Sequence, residues 1–299
     1  MAAGPALRRS VLYVPASNAR ALEKARALAA DAIVLDLEDG VAPDAKAAAR
    51  SAAAGAVAAL ARMGSGPVPA LREVAIRVNH AATPWGPDDL SAVARSGAAA
   101  AVLPKVESPD EVRAAAAALA AAGAPPSLAL WAMIETPRGV LAADAIAGAH
   151  PRLAVLVAGT SDLVADLRAR HVPGRLPVLT SLSMLVLAAR AHGLGVLDGV
   201  HLDLDDGAGF EAACAQGRDL GFDGKTLIHP RQIEPANRAF APGAAAVEHA
   251  RRVLAAHAEA LARGSGVAVL DGRLVENLHA EEARRLVALA DAIAARGMG

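Results

Sequence analysis

Eight apolar runs of strand length recur along this chain, and segments of helical length separate them through most of it. They fall at 11–15, 32–37, 74–79, 98–104, 128–134, 153–158, 195–202 and 221–228, and polar residues follow each. Short continuous apolar runs suit strands buried on both faces, as in a parallel sheet covered by helices. A strand, a crossover helix and a second strand form a right-handed parallel unit. The alternation therefore predicts an α/β protein, a (β/α)8 TIM barrel over residues 1–240. A doubly wound sheet is the rival, but it needs a glycine-rich first turn, and Pro15-Ala16-Ser17-Asn18 contains no G-x-G-x-x-G.

Local signals set several boundaries. Asn18 is placed to cap a helix running to about Ala30, and Pro43 opens a long helix that the Gly/Pro cluster 64–69 breaks. Residues 108–122 and 138–149 each read as one helix. After Pro242 the pattern changes to a helix over about 244–263, two alternating runs joined by Asp271-Gly272, and an amphipathic helix over 280–295. Asp-Gly in that setting is a hairpin signal. A barrel already supplied with eight strands has no place for this hairpin, so 241–299 is expected to form an arm or lid at a subunit interface.

Composition narrows the functions. Thirty basic and 31 acidic residues leave a net charge of -1, too little to attract nucleic acid or an anionic membrane, so an anionic ligand must be held locally. The single cysteine, Cys214, excludes an intrachain disulfide framework, fits a reducing cytoplasm and is expected simply to pack. No apolar run reaches membrane-spanning length and the first residues lack an export-type apolar segment, so a soluble, cytoplasmic protein is expected.

The chemistry collects where strands end, the edge at which parallel barrels carry their active sites. Run 128–134 stops at Glu135, and run 153–158 stops just before Gly159-Thr160-Ser161-Asp162, so both acids come to the carboxyl ends of neighbouring strands. Two carboxylates about 5 Å apart repel by roughly 3 kcal/mol at an effective dielectric of 20, which calls for a proton or a cation. We read a divalent metal site, and oxygen ligands completed by water suit Mg²⁺. Two separate solvated carboxylates, the second capping a helix near Leu163, would show the same spacing. Asp36, Glu38, Asp39, Arg77 and Lys105 end other strands. Arg77 suits a substrate carboxylate gripped at two points, or equally an ion pair with Glu38; Asp36 and Glu38 suit a supporting place behind the ligands.

Seven segments, LYVPASNARALEKA, DAIVLDLEDGVAPDAKAAAR, IRVN, LPKVES, MIETPRGV, GTSDLVADL and FDGKTLIHPRQI, resemble in order and spacing the successive blocks of the citrate lyase beta-subunit-like CoA-ester lyases. That family is a magnesium-dependent TIM barrel acting on carbon-carbon bonds of β-hydroxyacyl thioesters such as citryl-, malyl- and citramalyl-CoA. The resemblance implies Mg²⁺ on Glu135 and Asp162, Arg77 on the oxo acid with Glu38 nearby, and the amides of Gly159, Thr160 and Ser161 on a substrate carboxylate. It implies CoA contacts around Arg20 and Lys24, and places His229 in a block that lines the site.

The resemblance further implies a reversible Claisen cleavage of a CoA thioester to acetyl-CoA and a small 2-oxo acid, in a homo-oligomer, trimer or hexamer. Its acid-base carboxylate comes from a neighbour's arm, in a motif ending Asp-x-Pro. Here the matching stretch is Leu274-Val275-Glu276-Asn277-Leu278, so Glu276 replaces the aspartate and the proline is absent. Read alone, Glu276 could equally be an exposed strand-end charge. An acyl-CoA thioesterase, an aldolase for free hydroxy-oxo acids and a non-catalytic acyl-CoA-binding barrel are the rival functions.

Overall fold

The computed structural model describes residues 6–63 and 70–297. Two compact units divide it, one over Arg8–Phe240 and one that joins residues 6–7 to those from Ala241 onward. In the first, eight parallel strands close into a barrel: β1 (Ser10–Pro15), β2 (Ala32–Asp36), β3 (Glu73–Arg77), β4 (Ala100–Leu103), β5 (Ala129–Ile134), β6 (Leu153–Ala158), β7 (Gly195–Asp198) and β8 (Gly224–Leu227). Each strand pairs with the next, and β8 closes on β1. The (β/α)8 expectation holds.

Alternation along the strands divides the core in two. Val11, Val34, Val102, Val155, Val157 and Leu197 fill the lumen with Trp131, which is fully buried among Ala32, Ala75 and Ala100. The other strand residues, such as Ile33, Leu35, Ile76 and Leu156, meet the surrounding helices. At the amino-terminal end, Arg9 grips buried Asp31 with two bonds of 2.8 and 3.0 Å, and Arg8 pairs with Glu73 at 2.6 Å. Between β7 and β8, buried Lys225 meets Asp198 at 2.8 Å, and Arg175 reaches the same carboxylate at 2.7 Å.

Several helix boundaries depart from expectation, and distant contacts explain two of them. Asn18 does cap α1 (Ala19–Ala25), accepting from the Ala21 amide at 3.0 Å, but the helix ends at Ala25 rather than near Ala30. The buried Arg72 guanidinium takes the carbonyls of Ala25 and Leu28 at 2.7 and 2.8 Å, together with that of Leu60 at 2.6 Å. Residues 138–149 are two short helices, α2 (Pro137–Leu141) and α3 (Ala143–Ala147), that turn at Ala142. Gly139 draws α2 so close to the Val106 carbonyl that a Cβ would lie 2.5 Å from it, and the chain re-aims afterwards. The helix opened by Pro43 ends at Leu60; the Gly/Pro cluster 64–69 lies outside the described residues.

The second unit holds two helices, Ala244–Ala262 and Asn277–Ala295, and a hairpin of Ala268–Leu270 and Arg273–Val275. Asp271 and Gly272 turn it with φ of 50° and 74°, the positive pair that a type I′ turn requires. Ala250, Val253, Ala260, Val275 and Ala283 form its small core. The last helix begins at Asn277, three residues earlier than its periodicity suggests, because Glu276 takes the N-cap position. No helix of the described residues is long and apolar enough to cross a membrane.

Candidate active site

At the carboxyl ends of the strands lies a cavity of about 340 Å³. Tyr13 and Met133 stand in its lower wall, Asp36, Arg77, Glu135 and Asp162 supply its charge, and Val200, Leu202 and Ile228 supply an apolar side. Strand register builds the charged part: Asp36 lies opposite Arg77 across β2 and β3, and Glu135 follows directly after β5. The Arg77 guanidinium lies 5.0 Å above the Tyr13 ring, whose hydroxyl turns to Met133 Sδ at 3.4 Å. Burial pushes the Tyr13 phenol above its ordinary range, so it stays neutral under the cation.

Asp36 is fully engaged. It takes Arg77 Nε and Nη2 at 2.7 and 2.8 Å and the amides of Glu38 and Gly40 at 2.9 Å each. Burial works to raise its pKa, but the Arg77 bonds and charge outweigh it and hold the carboxyl below its usual value. Glu38 lies between two cations, Oε1 2.5 Å from Lys105 Nζ and Oε2 2.9 Å from Arg77 Nη1, the latter without hydrogen-bond geometry. Behind this turn, the buried Lys46 ammonium donates to the Leu37 and Glu38 carbonyls at 2.8 and 2.7 Å, above the Trp85 ring.

Glu135 is buried, with Oε1 accepting the Lys105 amide at 2.7 Å. Burial first, then the charges of Glu38 and Asp162, raise its pKa to about 7, against the pull of Lys105. Asp162 is partly exposed in the first turn of α4 (Thr160–Asp166), which starts three residues earlier than a helix capped by Asp162 would, with Gly159 as N-cap. Gly159 is glycine for a steric reason: a Cβ there would run into the Cβ and carboxylate of Glu135. The Gly159 amide, expected to meet a substrate carboxylate, instead donates to the Ile134 carbonyl at 3.0 Å as the strand pairing runs on; the first amides of α4 have no acceptor within the helix, and Ser161 Oγ is buried without a partner.

This donor set fits a hard divalent cation. A carboxylate raised by burial and then by its acidic neighbours, beside a second carboxylate at the cavity, is a site where a cation removes a repulsion. Among the described residues no three His, Cys, Asp or Glu converge as ligands, so a cation here keeps several waters, as Mg²⁺ commonly does.

The other residues singled out in the sequence lie elsewhere. Arg20 and Lys24 are exposed one turn apart on α1 and do not line the cavity. His229 caps the short helix Pro230–Gln232, its Nδ1 accepting the Arg231 amide at 3.2 Å, while its neighbour Ile228 lines the cavity. Glu276 belongs to the second unit, exposed, its amide donating to His279 Nδ1 at 3.1 Å. Cys214 is buried, its thiol pushed up to about 11 by burial, as a packing residue should be. Sequence reasoning missed Tyr13 and the full role of Lys105. Tyr13 is the chain's one tyrosine, next to the polar end of the first run, and that was the available signal.

Residues 9–230 match the HpcH/HpaI aldolase/citrate lyase family. The chain is 50% identical over 290 residues to a (3S)-malyl-CoA thioesterase of Cereibacter sphaeroides, with 97% of this chain and 96% of the relative aligned. The chain belongs to the HpcH/HpaI aldolase/citrate lyase family. Within this family it is similar to CitE of Mycobacterium tuberculosis in complex with magnesium, acetoacetate and coenzyme A, with a TM-score of 0.71 and 32% identity over 97% of this chain and 99% of that one. A citrate lyase beta subunit of M. tuberculosis complexed with oxaloacetate and magnesium gives a TM-score of 0.63 and 33% identity, covering 81% and 98%. The citrate lyase beta-subunit-like resemblance is thereby borne out.

Proposed function

We propose that this protein is a magnesium-dependent carbon-carbon lyase that cleaves, or forms, a β-hydroxyacyl-CoA thioester, with acetyl-CoA or a similar thioester and a small 2-oxo acid as the other side of the reaction. The observation that carries this reading is the pairing of Glu135 with Asp162 at one cavity, where burial and then acidic neighbours lift Glu135 to about 7 and Arg77 stands nearby. Magnesium, oxo acids and coenzyme A in the related structures support it.

Glu135 and Asp162 are the groups that would hold the metal. Bound there, magnesium supplies a Lewis acid for oxygens of the oxo-acid half. Arg77, fixed by Asp36 and Tyr13, donates to the oxygen on which negative charge develops. The amides of Thr160 and Ser161 are assigned to a substrate carboxylate, while that of Gly159 is already given to the Ile134 carbonyl. In cleavage, the hydroxyl passes its proton to a carboxylate, its carbon becomes the oxo-acid carbonyl, and the broken C–C pair passes onto the thioester as an enolate. The carboxyl group so protonated then returns the proton to the enolate carbon. We assign that step to Glu276 of a neighbouring subunit, the arm 241–299 acting as a lid in a homo-oligomer, a trimer or hexamer. Arg20 and Lys24 are assigned to the CoA phosphates. With its one cysteine, the protein is placed in the cytoplasm.

A second reading has one specific support: the relative at 50% identity is a thioesterase. Hydrolysis would use the same cavity, with water attacking the thioester carbonyl and CoA leaving as the thiol.

One panel separates the two. Acetyl-CoA and propionyl-CoA are offered with glyoxylate, pyruvate or oxaloacetate in Mg²⁺, and malyl-CoA is followed in the other direction for acetyl-CoA and for free thiol. New hydroxyacyl-CoA and released acetyl-CoA are expected. Free thiol with no acetyl-CoA would replace the lyase by the thioesterase, and activity untouched by EDTA would remove the metal.

A further inference from the structure

Lys105 follows β4 with φ of 51°, in the left-handed region where a Cβ is disfavoured and glycine is at ease. Its contacts account for a lysine there. The main-chain amide donates to Glu135 Oε1 at 2.7 Å. The ammonium of the same residue lies 2.5 Å from Glu38 Oε1, 3.6 Å from Asp162 Oδ2 and 3.8 Å from Asp39 Oδ1. One residue thus touches both carboxylates assigned to the metal, one with its backbone and the other with its side chain. Among the described residues, Arg77 faces Asp36, Glu38 and Asp39, and the ion pair to Asp162 comes from Lys105.

We propose that Lys105 is a positioning residue that serves as a built-in counter-cation of the metal site: its ammonium holds Asp162 beside Glu38 while the site is metal-free and gives Asp162 up when a divalent cation binds. The proposal rests on the assignment of Glu135 and Asp162 to magnesium. It has a definite sign. A fixed positive charge a few ångströms from the cation weakens the cation's binding, and the same charge relieves carboxylate repulsion when the metal leaves. The residue trades affinity for a metal-free site that keeps its shape.

The test uses the full chain, stripped with a chelator, as wild type, Lys105→Met and Lys105→Gly. Methionine keeps the length without the charge. Glycine keeps the amide to Glu135 and relaxes the left-handed backbone, so it carries the comparison if the methionine variant does not fold. Melting temperature is measured with and without MgCl2, and Mg²⁺ binding by titration calorimetry. The rise in Tm on adding Mg²⁺ is expected to be larger in both variants than in the wild type, and their Mg²⁺ Kd roughly tenfold tighter. An equal rise in all three, or weaker Mg²⁺ binding in the variants, overturns the proposal. So does an unchanged magnesium response with a raised KM for the acyl-CoA, which would make Lys105 a thioester ligand. A wild type that does not respond to Mg²⁺ removes the metal assignment and this proposal together, whereas a responsive wild type with unaltered variants overturns this proposal alone.

Discussion

Arg77 and Asp36 meet through the forked edge of the guanidinium, Nε to Oδ1 at 2.7 Å and Nη2 to Oδ2 at 2.8 Å, across the register of β2 and β3. The edge that fits a carboxylate best is therefore engaged within the protein, and the Nη1–Nη2 end, which Glu38 Oε2 already approaches to 2.9 Å, is what remains to meet a substrate. Lysine at 77 would lose the fixed orientation and the two-point geometry together. Arg77→Lys is expected to lower kcat/KM for the oxo acid about 100-fold or more, with a much smaller effect on thioester KM. Asp36→Asn should show the same pattern more weakly. Steady-state kinetics with each substrate varied in turn checks this, and equal losses for both would contradict it.

Removing either metal carboxylate should separate function from fold. Glu135→Ala and Asp162→Ala are expected to lose magnesium-dependent turnover, and Glu135→Gln to lose the Mg²⁺-induced rise in Tm, while far-UV circular dichroism stays that of the wild type. Retained turnover in the presence of EDTA would refute the assignment.

The raised pKa of Glu135 gives magnesium binding a pH dependence. Metal requires the carboxylate, so below about 7 a proton competes, and Mg²⁺ Kd should rise by up to about tenfold per pH unit down towards the ordinary carboxylate range. For the metal-free protein, the folded state holds its proton to a higher pH than the unfolded state. That contribution to stability is fully present below about 4.5 and is lost as pH rises through about 7. Calorimetric titrations between pH 5 and 8 (roughly the span of that competition) would show a flat Kd if Glu135 does not bind the metal.

Subunit mixing tests the arm. Arg77→Ala and Glu276→Ala proteins should each be nearly inactive; once subunits exchange, some sites would join an intact Arg77 to a neighbour's intact Glu276, and activity should reappear. No recovery, despite exchange verified by mass spectrometry, would place both groups of a site on one chain. Near-normal turnover in Glu276→Ala alone would take it out of the mechanism.

A methyl group at 159 should act on the metal without touching it. Gly159→Ala puts a Cβ into Glu135 and is expected to weaken Mg²⁺ binding at least tenfold, with a loss of about 1–3 kcal/mol in stability from crowding. Unchanged Mg²⁺ affinity would mean that α4 yields at its start.

The barrel was legible because eight apolar runs and their helices follow from local chemistry, and the charged mouth followed from the barrel. What stayed hidden depends on partners remote in the chain. The early end of α1 is set by Arg72, more than forty residues away, and the turn at Ala142 by the approach of Gly139 to Val106. Lys105 could be read as a strand-end charge but not as a left-handed residue, since nothing next to it in sequence demands that φ. The pairing of Tyr13 with Arg77 likewise exists only once β1 and β3 stand in one barrel.

The Lys46 ammonium pins the main chain of the Glu38 turn from behind, while Asp36 ties it from within. That side of the cavity is a fixed jaw. On the apolar side of the cavity, Leu202 and Ile228 stand half exposed, with no such ties. Exchanging apolar side chains there would reshape the cavity and leave the charged jaw as it is.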